Sequence, residues 1–339
     1  MPCKNLKPEF DVKELSCLID LHLHLDGSLS LNAVKELAKM QNIQIPKTDD
    51  ELTKLLSVTP NCKNLNEYLE KFDFPCSLLQ TADALTFAVS NLLKELNEQG
   101  VMYAEIRFAP QKHTLKGLTQ QQVVEAAVKG LNNSPIGCGL ILCCMRDNNN
   151  HAENVETINV AKQFLGGGVV AVDLAGAEAL FPTKSFEDLF VLAKENNVPF
   201  TIHAGEADGV ESVKSALSFG AKRVGHGVRS IESEELLQLI KQNDVTLECC
   251  PTSNLNTQVF DSIKKFPVNQ FLKHGIRFTI NTDNMAVSAT NLKHELGLIV
   301  NTFDLTKNQL KQILFNAVDA LFLCDNKKCA LKQNIEKQL

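Results

Sequence analysis

No run of apolar residues in this sequence approaches the ~20 needed to cross a bilayer as a helix. A membrane-spanning helix is therefore not expected. Surplus positive charge is lacking too: 34 Lys+Arg stand against 40 Asp+Glu, for a net charge of -6. Without a basic face to displace counterions from phosphates, a nucleic-acid binder is excluded. The C-x-x-C pairs of a cysteine zinc site are missing, although the chain has eleven cysteines. Linker-like Pro/Gly/Ser tracts, low-complexity segments and internal repeats are absent as well. With 44% hydrophobic residues over 339 positions, the economical organisation is one domain, 1–339. The N-terminal stretch carrying Lys4, Lys7, Glu9, Asp11, Lys13 and Glu14 is too charged for a secretory apolar region. Cysteines fall inside apolar stretches as the pairs Cys143-Cys144 and Cys249-Cys250, where they read as small buried hydrophobes in a reducing cytoplasm.

What is present is a rhythm. Short apolar segments near 17–25, 101–109, 136–145, 169–175, 199–205, 223–227, 245–250 and 277–283 read as strands. From the second onward, each pair is separated by about a helix and two short loops, the spacing of βαβ units in a parallel sheet. Eight units predict an α/β (β/α)8 TIM barrel, a fold of typically ~250 residues. The surplus lies in a helical insertion after strand 1 (29–98) and in extra C-terminal helices (290–339).

Four of the eight histidines, His22, His24, His203 and His226, fall near predicted strand C-termini, the face on which such barrels build active sites. The other four, His113, His151, His274 and His294, lie in predicted loops or helices and read as surface residues. In His22-Leu23-His24, side-chain alternation points both imidazoles to one face, offering a metal two ligands from one strand. Two buried, hydrogen-bonded histidines would explain that pair equally well. His203 adds a third imidazole, with Glu206 in the following turn. Asp283 closes strand 8, where burial beside Phe278 and Ile280 demands a metal or a charged partner. The ordinary alternatives are a helix N-cap for Asp283 and solvent exposure for Glu206. Other signatures fail: Leu298 stands where a helical zinc-protease motif needs its second His, and Leu79 where a cytidine-type deaminase needs its second Cys. No nucleophile elbow, phosphate loop or dinucleotide fingerprint occurs.

Six motifs remain: His-Leu-His-Leu-Asp-Gly at 22–27, Asp-Leu-Ala-Gly at 173–176, His-Ala-Gly-Glu at 203–206, Gly-His-Gly at 225–227, Cys-Pro-Thr-Ser-Asn at 250–254 and Asn-Thr-Asp at 281–283. In order and spacing, from about residue 12 to 325, they resemble the adenosine deaminase family of the amidohydrolase superfamily. The resemblance implies one Zn2+ per chain on His22, His24, His203 and Asp283, and catalysis by Glu206, His226 and Asp283. It implies deamination of adenosine, and of 2′-deoxyadenosine, to the inosine product and ammonia in purine salvage. A deaminase of free adenine or of a modified adenine nucleoside is the alternative. His24 would also face the substrate, Asp26 would contact the ribose, and the Gly176 N–H would meet the purine N3. Leu65, Tyr68, Leu69 and Phe72 resemble an apolar lid, although any helix packed on a barrel shows the same i, i+3, i+4, i+7 stripe. One position departs from the family: Asn284 stands where a second Asp is common. Since N7 accepts, an amide donates to it at any pH, whereas a carboxyl must first be protonated; Asn284 is expected to fill the role.

Overall fold

The computed structural model describes residues 11–59 and 62–339, so Lys4, Lys7 and Glu9 lie outside the described residues. Its strands are β1 (Leu18–His24), β2 (Val101–Phe108), β3 (Gly137–Met145), β4 (Val169–Ala175), β5 (Thr201–Ala204), β6 (Arg223–His226), β7 (Thr246–Cys249) and β8 (Arg277–Ile280). All pair in parallel, as two four-stranded arcs in the orders β1-β2-β3-β4 and β5-β6-β7-β8. Single bridges join the arcs. The Val172 amide donates to the Pro199 carbonyl at 2.9 Å. At the other seam the Asp283 amide donates to the His22 carbonyl, and the His24 amide to the Asp283 carbonyl, each at 2.7 Å. This is the expected (β/α)8 barrel. Its strands are apolar almost throughout because one face lines the barrel interior and helices cover the other.

Among the described residues the insertion after β1 holds five α-helices, α1 (Leu31–Met40), α2 (Asp49–Leu56), α3 (Leu65–Leu69), α4 (Asp73–Leu78) and α5 (Ala82–Glu98). Ser30 caps α1 by accepting the Ala33 amide at 3.1 Å, and Ala33, Val34, Leu37 and Ala38 form its buried stripe. Helices α3 and α4 are short and lie over the C-terminal mouth of the barrel. Six helices, α6 (Gln120–Gly130), α7 (His151–Phe164), α8 (Glu187–Glu195), α9 (Val210–Ser218), α10 (Glu234–Gln242) and α11 (Pro251–Asn256), follow β2 to β7 in turn. After α12 (Val268–His274) and β8 come α13 (Leu292–Phe303), α14 (Lys307–Ala320) and α15 (Asp325–Gln338). No described helix is long and apolar enough to cross a membrane.

One of the four outlying histidines departs from expectation. His151 and His294 are exposed and His274 is half-buried, but His113 is fully buried. The short turn after β2 folds its ring against Phe108, with centroids 5.8 Å apart, and neither ring nitrogen has a partner at hydrogen-bonding geometry. Burial pushes its pKa down to about 4, so the ring is neutral there.

Candidate metal and substrate site

At the C-terminal ends of β1, β5 and β8, single ligand atoms of His22, His24, His203 and Asp283 lie within 4.8 Å of one another, all buried. Nε2 of His22 and Nε2 of His24 are each 3.4 Å from Asp283 Oδ1, and the Nε2 atoms of His24 and His203 are 3.2 Å apart. His22 Nε2 is buried without a hydrogen-bond partner, an orphan that a cation at the centre of the cluster would satisfy. Burial lowers the pKa values of His24 and His203, which keeps lone pairs available for a metal. Three imidazoles and one carboxylate are donors that suit a transition-metal dication. The residues fit the metal that the sequence implies.

The rears of two of the three imidazoles face carboxylates. His22 Nδ1 lies 2.8 Å from Glu248 Oε2, and His203 Nδ1 lies 2.8 Å from Asp173 Oδ2. A neutral ring protonated at Nδ1 presents Nε2 unprotonated to the cluster; Glu248 accepts from His22 Nδ1, and the Asp173 charge beside His203 Nδ1 favours the same tautomer there. Two buried guanidiniums neutralise these carboxylates in turn. Arg107 spans Asp173 and Glu248 at 2.8 Å each, and Arg223 joins Glu248 to Glu105. The column reaches the Ala320 carbonyl and the Phe322 amide, at the junction of α14 and α15. Although burial opposes ionisation, His203 and Arg107 hold Asp173, and Arg223 and Arg107 hold Glu248, well below the usual carboxylate range.

Beside the cluster, His226 Nε2 faces Glu206 Oε2 at 3.5 Å. Burial raises the pKa of Glu206, and with 4% of its surface exposed the alternative of a solvated carboxylate falls away. Burial alone would lower that of His226, but the Glu206 and Asp283 charges outweigh it and the net shift is upward. The Asn254 amide lies 3.2 Å from His226 Nδ1, and the Thr257 hydroxyl donates to Glu206 Oε1 at 3.2 Å. His226 and Asp283 both adopt left-handed backbone, at φ 60 and 59, a conformation that costs non-glycine residues and collects at functional sites. Asp283 caps no helix: α13 starts at Leu292 with Asn291 as its cap. The glycine of Gly-His-Gly has a steric reason, because a Cβ on Gly225 would lie 3.0 Å from His22 Cε1.

The cluster opens into a cavity of about 440 Å³, within the range of small-molecule sites. His24, Asp26, Gly176, His203, Glu206, His226, Asp283 and Asn284 line it, and Leu65, Tyr68, Leu69 and Phe72 of α3 and the turn after it border its mouth. Each candidate from the sequence thus reaches this cavity except His22, which lies behind it. Asp26 is buried, which raises its pKa to about 6. Asn284 fits only because residue 27 is glycine, whose Cβ would fall 1.8 Å from Asn284 Oδ1.

Sequence reasoning missed the supporting groups. Glu105, Arg107, Asp173 and Glu248 are charges inside apolar strands, a signal in itself, and Arg223 opens another. Glu178 gave less warning. Its carboxylate accepts the amides of Gly205, Glu206, Ala207 and Asp208 at 2.6, 3.0, 2.7 and 3.0 Å, and so holds the turn that carries Glu206.

Fold and site together define a (β/α)8 barrel with a buried His/Asp cluster suited to a metal. The adenosine deaminase family model matches residues 17–338. The chain is 47% identical over 330 residues to the adenosine deaminase of Haemophilus ducreyi, covering 95% of this chain and 96% of that one. It belongs to the adenosine deaminase family, enzymes that hydrolyse C–N bonds. The fold is similar to that of an adenine deaminase from Arthrobacter aurescens (TM-score 0.84, 24% identity, 94% of this chain and 98% of that one). It is also similar to that of an Arabidopsis N6-mAMP deaminase (TM-score 0.83, 24% identity, 94% and 97%).

Proposed function

We propose that this chain hydrolyses adenosine and 2′-deoxyadenosine to the inosine product and ammonia, with one zinc ion held by His22, His24, His203 and Asp283. The observation that carries the reading is the meeting of those four side chains with the Glu206–His226 pair at the base of one cavity. A zinc ion held there would lower the pKa of water to about 7 and so supply a nucleophile at neutral pH.

The chain's own groups handle the protons. His226 accepts one from the attacking water as oxygen adds to C6. Glu206, whose pKa burial raises, donates from its protonated form to N1, so negative charge does not build up on the ring. The second water proton goes to the amino group, which leaves as ammonia, and the proton on His226 restores Glu206. Asp283 orients the incoming oxygen. The Gly176 amide donates to N3, the Asn284 amide to N7, and Asp26 accepts from the 5′-hydroxyl. As a carboxylate there repels phosphate, nucleosides are preferred to nucleotides. Leu65, Tyr68, Leu69 and Phe72 exclude water from the closed site.

The ten described cysteines are all free thiols, which supports a reducing, cytoplasmic setting; conversion of adenosine to inosine would place the chain in purine salvage. The test pairs metal analysis with loss of the adenosine absorbance band on one sample, and compares kcat/KM for adenosine, adenine and adenosine monophosphate. Zinc near one per chain and preference for adenosine are expected. Full activity in a metal-free preparation, or faster turnover of adenine, would overturn the proposal.

A further inference from the structure

Asp26 carries the recognition of ribose in the reading above, yet no cationic side chain pairs with it among the described residues. Its Oδ1 accepts the Gly27 amide at 3.1 Å, and its Oδ2 accepts the thiol of Cys76 at 3.4 Å. Cys76 sits in α4, half-buried, on the wall of the same cavity. Burial and the Asp26 charge push its pKa well up, so the group is a thiol and donates. A carboxylate has about four lone-pair sites. With one used on each oxygen, its direction is set and sites remain for a hydroxyl in the cavity.

We propose that Cys76 is a positioning residue for Asp26: its thiol turns the carboxylate toward the substrate's 5′-hydroxyl and so contributes to selectivity for the nucleoside. The inference rests on the reading of Asp26 as the partner of that hydroxyl. Helix α4, supplied by the insertion after β1, thereby takes part in substrate choice as well as covering the barrel mouth.

The experiment compares adenosine with 5′-deoxyadenosine, which lacks only the hydroxyl, on wild type, Cys76→Ala, Cys76→Ser, Cys76→Val and Asp26→Ala at equal metal content. Cys76→Ala is expected to lower kcat/KM on adenosine roughly 3- to 10-fold more than on 5′-deoxyadenosine, chiefly through KM. Cys76→Ser, which still donates, should restore most of that difference. A packing role would move both substrates alike. Equal losses on the two substrates in both Cys76→Ala and Cys76→Val therefore overturn the proposal, and the valine variant decides alone where the alanine variant does not fold. Asp26→Ala separates the two ideas. If it cancels the wild-type preference for adenosine and the Cys76 variants do not reduce it, the role of Cys76 falls while that of Asp26 stands. If Asp26→Ala leaves the preference intact, the reading of Asp26 fails and the inference goes with it.

Discussion

Replacing Asp173 by asparagine removes one charge from the buried column behind the ligands while keeping its volume. In the native arrangement Oδ2 lies 2.8 Å from both Arg107 Nη1 and His203 Nδ1, and Oδ1 accepts the Leu174 amide at 2.7 Å. If the asparagine oxygen stays with Leu174, its NH2 group meets two donors. The least costly relief moves the His203 proton from Nδ1 to Nε2, which takes away the lone pair at the ligand atom, and Arg107 still loses an acceptor. Breaking a buried ion pair from one side costs ~3–5 kcal/mol. Losing the outer partner of a ligating histidine lowers metal affinity ~10–100-fold, which is ~1.4–2.7 kcal/mol at 1.36 kcal/mol per tenfold. At about 2 °C per kcal/mol for a chain this large, the metal-free variant should melt roughly 6–10 °C below metal-free wild type. Calorimetry on stripped protein and competition for zinc against a chromophoric chelator measure the two terms separately. Wild-type affinity together with an unchanged melting temperature would refute the argument from tautomer and charge.

Glu206→Gln should fold and bind zinc, yet lose about 10²–10⁴-fold in kcat because an amide cannot pass a proton to N1; steady-state assays beside metal analysis check it. Asn284→Asp should introduce an activity loss as pH rises through the pKa of the new carboxyl, since only its protonated form donates to N7; an unchanged pH profile would remove residue 284 from that contact. His113 predicts a stability effect. Its pKa is depressed to about 4 on folding, so between the unfolded value near 6.5 and that value the unfolded chain binds the extra proton. Stability should fall with acidification by about 3 kcal/mol through this ring. Urea midpoints of His113→Leu should therefore drop less than those of wild type between about pH 7 and pH 4.

The barrel was legible because a strand buried on both faces writes a nearly continuous apolar run, as in Gly-Leu-Ile-Leu-Cys-Cys-Met of β3. Strand ends were less so. The eighth was expected to run to Asp283, but β8 stops at Ile280, because Asp283 takes left-handed backbone to aim its carboxylate into the cluster. The four residues of the cluster stood out by their own spacing and motif, whereas the groups behind them depend on closure. Arg107 and Glu248 are 141 positions apart, and nothing local in either strand says that they meet. His113 misled for another reason: a polar loop sequence holds no periodicity that would reveal a ring folded under it.

The column also explains why the ligand set includes a carboxylate rather than a fourth imidazole. Arg107 and Arg223 supply two positive charges, against four negative ones on Asp173, Glu248, Glu105 and Asp283. Within this connected set two negative charges are left over beside the cavity, the complement of one dication. Neutral imidazoles contribute no charge, so without Asp283 a bound dication would leave the core with a net positive charge. By the same count the proposed metal would be part of the fold's electrostatics. Removing it should lower the melting temperature even in the absence of substrate. The drop should persist in concentrated salt, because buried charges are poorly screened. Calorimetry of stripped and zinc-loaded protein at low and high ionic strength tests this. A difference that vanishes with salt would place the imbalance at the surface and refute the account.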